Sequence, residues 1–295
     1  MEKSAMITIC GRPNVGKSTL TNALVGEKIA IVSDKPQTTR NRITAIVAHG
    51  ETQLVLMDTP GFHKPRTRLG DYMVNVVSQS VADVDLVLLL VEPVAEIGKQ
   101  EEALIARIKE TGAPSVLVIN KIDTVEKPRI LEVMGLYSAA HEFDAIIPIS
   151  AKTGEGITEL LDEMEKYAVE GPHLFPDDMI TDQPERQICA ELVREKLLKC
   201  LDKEIPHGTA VEVTRFSERD NGIIDLEVTI YCEKDSHKGI IIGKKGAMLK
   251  KIGELARVDI EEFMGTKVNL QTWVKVKENW RDSMSLLRNF GFKNE

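Results

Sequence analysis

The residues Gly11-Arg12-Pro13-Asn14-Val15-Gly16-Lys17-Ser18 have the types and spacing of a phosphate cradle. Two glycines let successive backbone N–H groups curl around an anion without Cβ clashes. A short apolar run of strand type, Ala5 to Cys10, precedes the loop, and helix-compatible residues from Thr19 to Val25 follow it. A helix starting near Lys17 points the positive end of its dipole at the same place. Lys17 can reach the β- and γ-phosphates of a nucleotide, and the Ser18 hydroxyl can sit on a magnesium ion. A glycine-rich turn before a helix has much the same look in isolation, so the later segments carry the decision.

Three of them carry chemistry, each at the end of an apolar strand-like run. Gln53 to Met57 leads into Asp58-Thr59-Pro60-Gly61. A carboxylate at a strand's C-terminal end can hold magnesium through its water shell, and the Gly61 N–H can approach a γ-phosphate closely. Ser115 to Ile119 leads into Asn120-Lys121-Ile122-Asp123. Guanine presents two adjacent donors, N1–H and the exocyclic amine, that one Asp123 carboxylate accepts together; adenine would face it with an acceptor. Asn120 braces that loop, and the Lys121 stem lies over the purine face. Ile146 to Ile149 leads into Ser150-Ala151-Lys152, whose backbone can meet the guanine carbonyl oxygen.

Taken in this order, the phosphate loop, a Thr38/Thr39 loop, D-T-P-G, N-K-I-D and S-A-K resemble the GTPase signature set. The resemblance implies an α/β fold, a doubly wound, mostly parallel sheet with GTP or GDP bound along its carboxyl edge. Loop 32–42 is then the expected first switch and 61–70 the second, both ordered by the γ-phosphate. Lys17, Thr39 and Gly61 are the residues expected to act on the transferred group, with Thr19 the first residue past the cradle. Phe62 stands where Ras-like enzymes have a water-orienting glutamine, and His63 is not glutamine either. An apolar side chain cannot polarise water, so slow intrinsic hydrolysis is expected. Asn14 stands where a related bacterial group uses asparagine to help bind potassium. A potassium ion in place of an arginine finger is the expectation, against a loop-shaping role for Asn14.

The chain that must position these residues has 295 of them, room for two compact domains. Its composition, 42% apolar and 28% charged, is that of a soluble globular protein. Cys10, Cys189, Cys200 and Cys232 have no metal-type spacing and read as reduced thiols of a cytoplasmic protein. No signal peptide or membrane span is legible.

Gly156 to Tyr167 has the pattern of a last helix, and 170–183, with its prolines, glycine and acids, that of a linker. The first domain is thus expected over 1–169 and the second over 184–295. A helix from Pro184 to Lys203, strands Thr209–Phe216 and Ile223–Tyr231 about an Asp220-Asn-Gly222 turn, a strand Val268–Val276 and a closing helix from Trp280 to Leu287 are expected there. The net charge of −8 argues against a polyanion partner, but its distribution does not. Residues 181–295 hold 20 Lys and Arg against 20 Asp and Glu, and Lys234 to Lys251 has six lysines and one aspartate.

Within that basic stretch lies Gly239-Ile240-Ile241-Ile242-Gly243-Lys244-Lys245-Gly246. A G-x-x-G between two short helices, after an α-β-β pattern, resembles a type II KH domain, a smaller α+β fold. The glycines admit a nucleic-acid backbone, Lys244 and Lys245 favour phosphate, and Ile240, Ile241 and Ile242 are the candidates for a groove taking unpaired bases. Lys250 and Lys251 either extend the contact or form a solvated face.

A GTPase with Q-T-T-R and D-T-P-G-F-H, followed by a KH domain, resembles the Era family of ribosome-assembly GTPases over essentially the whole chain. The resemblance implies binding near the single-stranded 3′ end of small-subunit (16S) ribosomal RNA during maturation of the 30S subunit. It also implies Mg2+ as cofactor, with Thr39 rather than Thr38 as the switch ligand beside Ser18 and Asp58, and a peripheral contact with the cell membrane. No amphipathic or polybasic helix in the sequence supports that membrane contact. A monomer is expected. Coupling is expected to run from the switch loops through the 170–183 linker to the KH domain. The alternative is an RNA-binding protein whose nucleotide domain senses GTP and GDP in cell-cycle or stress signalling.

Overall fold

The computed structural model describes residues 1–61, 67–80 and 84–292. Phe62 and His63, and with them part of the expected second switch, lie outside the described residues. By internal contacts the chain divides into two compact units. One takes Met1–Ala30 and nearly all of 39–182; the other takes Ile31–Thr38, a short piece at 67–69, and the chain from Gln183 onward.

In the first unit the order is β1 (Lys3–Cys10), α1 (Lys17–Val25), β2 (Ile43–His49), β3 (Thr52–Asp58), α2 (Arg68–Ser80, whose first two residues group with the second unit), β4 (Leu86–Val91), α3 (Lys99–Thr111), β5 (Ser115–Ile119), α4 (Lys127–Ala140), β6 (Ala145–Pro148), α5 (Ile157–Glu165) and β7 (Val169–Glu170). The strands form one sheet in the order β2-β3-β1-β4-β5-β6, with β7 paired to β1. β3, β1, β4, β5 and β6 run parallel, while β2 and β7 are antiparallel to their neighbours. Strands buried on both faces read as unbroken apolar runs. In β4, Leu86, Leu88 and Leu90 join one apolar cluster and Val87, Leu89 and Val91 the other, the two-residue period of a strand between helical layers. Because the five parallel strands share a direction, the loops after them line one edge of the sheet. That edge brings 11–18, 58–61, 120–123 and 150–152 together.

The stretch with a linker's composition is paired with this unit. Leu174 and Phe175 donate from their backbone N–H groups to Gln53 Oε1 at 2.8 and 2.9 Å, and Ile46 N donates to the Ile180 carbonyl at 2.9 Å. Thr181 Oγ1 donates to the Thr44 carbonyl at 2.7 Å. Prolines and acids signal a break in local structure but say nothing of such long-range pairing, which gives an open sheet edge its partners. Helix α4 was not legible either, because its apolar residues spread around the axis: Val133 and Tyr137 are buried while Leu131 and Leu136 are exposed.

The second unit follows the order α6 (Glu185–Cys200), β8 (Ala210–Glu218), β9 (Ile224–Cys232), α7 (Asp235–Ile242), α8 (Ala247–Met264), β10 (Val268–Val276) and α9 (Met284–Asn289). β8 and β9 form an antiparallel hairpin, and β10 pairs parallel to β9 on its other side. A parallel neighbour needs a crossover, and α7 with α8 supplies it. Ile252, Ala256 and Ile260, four residues apart on α8, meet Leu192, Val193 and Leu197 of α6 and the inner face of β9 in one apolar cluster. The expected closing helix is divided: Trp280–Asp282 is a 3-10 turn, Ser283 caps α9, and Trp280 Nε1 donates to the Gly208 carbonyl at 3.0 Å. The four cysteines are free thiols, and among the described residues no helix is long and apolar enough to cross a membrane.

Candidate nucleotide site and nucleic-acid interface

The loop after β1 keeps its shape through two close approaches. Gly16 has φ 101°, a left-handed backbone, and a Cβ there would collide with the Asn120 side-chain amide. A Cβ on Gly61 would come within 2.8 Å of Pro13 Cα, so the D-T-P-G segment lies directly against the cradle. Thr59 Oγ1 donates to the Ile9 carbonyl at 2.8 Å and pins that segment to β1, while Pro60 is buried behind it. Val15 is fully buried and anchors the loop from below, and Thr19, half-buried, lies in the first turn of α1.

Lys17 is buried and folds back over the cradle, donating to the carbonyls of Gly11 at 3.2 Å and Arg12 at 3.0 Å. Burial lowers its pKa, opposed by the negative charge of Asp58. Beside it, three oxygens converge. Ser18 Oγ donates to Asp58 Oδ2 at 2.8 Å and lies 2.8 Å from Thr39 Oγ1. Burial pushes the Asp58 carboxyl up to about 6, against the pull of Lys17 and Ser18, and its Oδ1 is buried with no hydrogen-bond partner. Two hydroxyls and a carboxylate with an unused oxygen are a hard donor set that fits a magnesium ion. Thr38 points elsewhere: its hydroxyl donates to the Lys35 carbonyl at 2.6 Å.

On the other side of the cradle, Asn120 joins three loops. Its Nδ2 donates to the Val15 carbonyl at 2.8 Å, and its Oδ1 accepts from Ala151 N at 3.0 Å. Asp123 is exposed, with one carboxylate oxygen accepting from the buried Ser150 hydroxyl at 2.7 Å, which fixes the group's orientation without covering it. Lys152 is exposed next to them. Asn120→Ala would orphan a buried carbonyl and a buried N–H. A loss of about 2–4 kcal/mol in urea unfolding is expected, and an unchanged midpoint would mean the asparagine braces nothing.

Sequence reasoning missed Glu92, which follows β4 on the same sheet edge. It accepts from Arg12 at 2.7 Å and from Lys121 Nζ at 2.5 Å, and Lys121 Nζ also donates to the Asn14 carbonyl at 2.6 Å. Arg12 meets Glu101 as well, at 3.0 Å. Asn14 (φ 67°) and Lys121 (φ 65°) are left-handed non-glycine residues, a conformation costing about 1–3 kcal/mol that gathers at functional sites. Its place just past the C-terminal end of an apolar strand is one any surface glutamate can occupy, so the sequence alone does not single it out.

In the second unit, Gly243-Lys244-Lys245-Gly246 makes the turn between α7 and α8, with both lysines exposed and Lys245 in a left-handed conformation (φ 53°). Gly246 precedes the first residue of α8, an 18-residue helix whose N-terminus adds to the field of the lysines. One expectation needs correction. Gly239 to Ile242 form the last turn of α7, and successive helical residues point about 100° apart, so the three isoleucines cannot share a groove. Ile240 is 49% exposed, Ile242 is half-buried, and Ile241 is enclosed in the apolar core, where no ligand reaches it. The helix after the turn is long, not short. Lys250 lies 3.8 Å from Glu254, a weak exposed pair one turn along α8.

A model of the family described as 50S ribosome-binding GTPase matches residues 6–121, and a KH-domain model matches residues 204–281. The chain is 53% identical to GTPase Era of Ruminiclostridium cellulolyticum over 99% of its own length and 98% of that protein. Against GTPase Era of Clostridium kluyveri it is 52% identical, over 99% and 100%. Among solved structures it resembles a variant of Aquifex aeolicus Era bound to GDP and AlF4-, at TM-score 0.95 and 37% identity, covering 99% of this chain and 100% of that one. It also resembles Era in complex with MgGDPNP and nucleotides 1506–1542 of 16S ribosomal RNA, at TM-score 0.95 and 36% identity over both whole chains. With a nucleotide cradle of this geometry, a KH domain later in the sequence, and likeness from end to end, the chain belongs to the Era family of GTPases.

Proposed function

We propose that this chain binds GTP with Mg2+ along the sheet edge, hydrolyses it slowly, and binds the single-stranded 3′ region of small-subunit ribosomal RNA through its KH domain during 30S assembly. The observation that carries the nucleotide half is the convergence of Ser18, Thr39 and Asp58 beside Lys17, with the Ser150-oriented Asp123 at the far end of the same edge. Ser18, Thr39 and Asp58 would hold the magnesium ion, which neutralises phosphate charge when bound. Lys17 compensates the β- and γ-phosphates, the cradle N–H groups hold the same oxygens, and the Gly61 N–H faces the terminal phosphate. Asp123 accepts the two guanine donors, and Lys121 covers the ring from a position set by Glu92. Competition settles this reading: unlabelled GTP and GDP should displace a fluorescent guanine nucleotide, and equal displacement by ATP would end it.

Asn14 is the residue we read as a potassium ligand. It is exposed at the mouth of the cradle, in a strained conformation that Lys121 holds through its carbonyl. Hydrolysis should run faster in potassium chloride than in sodium chloride at equal ionic strength. Equal rates leave Asn14 with loop shaping alone.

For the RNA half, the relative solved with 16S ribosomal RNA supports the ligand class, and the exposed lysine turn supports the place. Lys244→Ala with Lys245→Ala removes two phosphate contacts. Affinity for single-stranded RNA should fall for every sequence alike, and the slope of log affinity against log salt should flatten by about 1.4. A slope that does not move would take the turn out of the interface.

A further inference from the structure

Helix α6 departs from what its sequence asks for. Arg194, Glu195 and Lys196 are consecutive charged residues, yet Leu192 through Leu198 are all buried, close to two full turns without an exposed side. One side of the helix packs on the apolar core. The other carries the three charges, and the segment Ile31–Thr38, part of the same unit, lies against it.

Both ends of that segment are held. Ile31 is buried in the same apolar cluster as Leu192 and Val193, and Val32 N donates to Glu195 Oε1 at 3.0 Å. Lys35 Nζ donates to the Leu201 carbonyl just past the helix. At the far end stands Arg194, only 2% exposed. Its guanidinium forks onto Glu191, Nε to Oε1 at 2.8 Å and Nη2 to Oε2 at 2.5 Å. That pairing orients the remaining donors, and Nη1 reaches the Gln37 carbonyl at 3.4 Å while Nη2 donates to the Thr38 carbonyl. A buried guanidinium is costly unless its donors are matched, and here two consecutive backbone carbonyls do the matching.

The next residue is Thr39, which groups with the first unit and whose hydroxyl lies 2.8 Å from Ser18 Oγ. A peptide unit is planar, so holding the Thr38 carbonyl fixes the plane from which the Thr39 side chain departs. We infer that Arg194, fixed by Glu191, is a positioning residue for Thr39, so that helix α6 of the RNA-binding domain biases the metal-side of the nucleotide site. The inference rests on the reading of Thr39 given above. It moves the coupling route from residues 170–183, which the sequence favoured, to α6. By linkage, whatever alters α6 on the RNA side shifts the preference for GTP over GDP, and the reverse.

The test uses the full chain with Arg194→Ala, Arg194→Lys and Thr39→Ala, titrated with fluorescent GDP and a non-hydrolysable GTP analogue, in Mg2+ and in EDTA. Arg194→Ala should lower affinity for the analogue about tenfold in Mg2+, within the usual range of coupling factors, and leave GDP affinity within about twofold. In EDTA the difference should vanish, and Arg194→Lys, which keeps one charged donor, should recover part of it. Hydrogen exchange should rise at 36–40 in the alanine variant. A general loss of folding would instead lower both affinities together, and that result overturns the inference, as does no change in either. If the alanine variant does not fold, the lysine variant decides alone: an analogue-specific loss in Mg2+ supports the inference and an equal loss for both nucleotides overturns it. Thr39→Ala separates the two claims. If it spares the analogue preference, the reading of Thr39 fails; if it destroys the preference while Arg194→Ala does not, only the role of Arg194 fails.

Discussion

Replacing Asp123 by asparagine is expected to transfer the preference of the site from guanine to xanthine nucleotides. Guanine offers two donors side by side, and the carboxylate accepts both; asparagine offers one acceptor and one donor, so it pairs once and opposes the exocyclic amine with an N–H. A site left with mispaired polar groups rejects a ligand by about two to four orders of magnitude. Xanthine has a carbonyl where guanine has that amine, and the asparagine N–H finds an acceptor again. Nothing else should suffer, because the side chain is exposed and the Ser150 hydroxyl can donate to the asparagine carbonyl as it donates to Asp123 Oδ1 at 2.7 Å. Xanthosine and guanosine triphosphates competing for the variant give the answer. Retained preference for GTP would show that Asp123 does not read the base.

Lys17→Met should be as severe, in a different way. The ammonium is buried and held over the cradle by the Gly11 and Arg12 carbonyls. Its burial already disfavours the charge, and the Asp58 carboxylate opposes that effect. A triphosphate brought into the cradle without that cation meets Asp58 as a like charge. Removing one partner of such a buried charged pair costs about 3–5 kcal/mol, a hundredfold to several thousandfold in affinity. The loss should fall on guanine and xanthine nucleotides alike, which distinguishes it from the change at Asp123. Titration with GTP measures it, and the far-ultraviolet spectrum of the free variant should match that of the parent. An affinity within threefold of the parent would place the phosphates elsewhere.

Both expectations concern residues legible before any fold was known, and the reason is local. A phosphate loop needs two glycines, a lysine and a hydroxyl within one turn of chain, and a parallel sheet puts every loop of one end on one edge. Gly16, Lys17, Asp58, Asn120 and Asp123 therefore announce themselves by type, spacing and the apolar run before each. Glu92 does not, since a single glutamate after a strand acquires meaning only once Arg12 and Lys121 are seen to converge on it. The three isoleucines of 240–242 look equivalent as letters, and the helical twist alone sends Ile241 inward and Ile240 outward.

Residues 31–38 and 172–181 mark the limit. Each has the polar, proline-bearing composition of a loop, and each is bound by backbone groups to elements far along the chain: α6 in one case, β2 and β3 in the other. Hydrogen bonds to a carbonyl or an N–H carry no side-chain signature. The amino-acid order by itself thus determined the chemistry, the order of the two domains and the nucleotide class. Only tertiary structure decided that a buried arginine on α6 grips the carbonyl next to Thr39, because its partners are backbone atoms that every residue possesses.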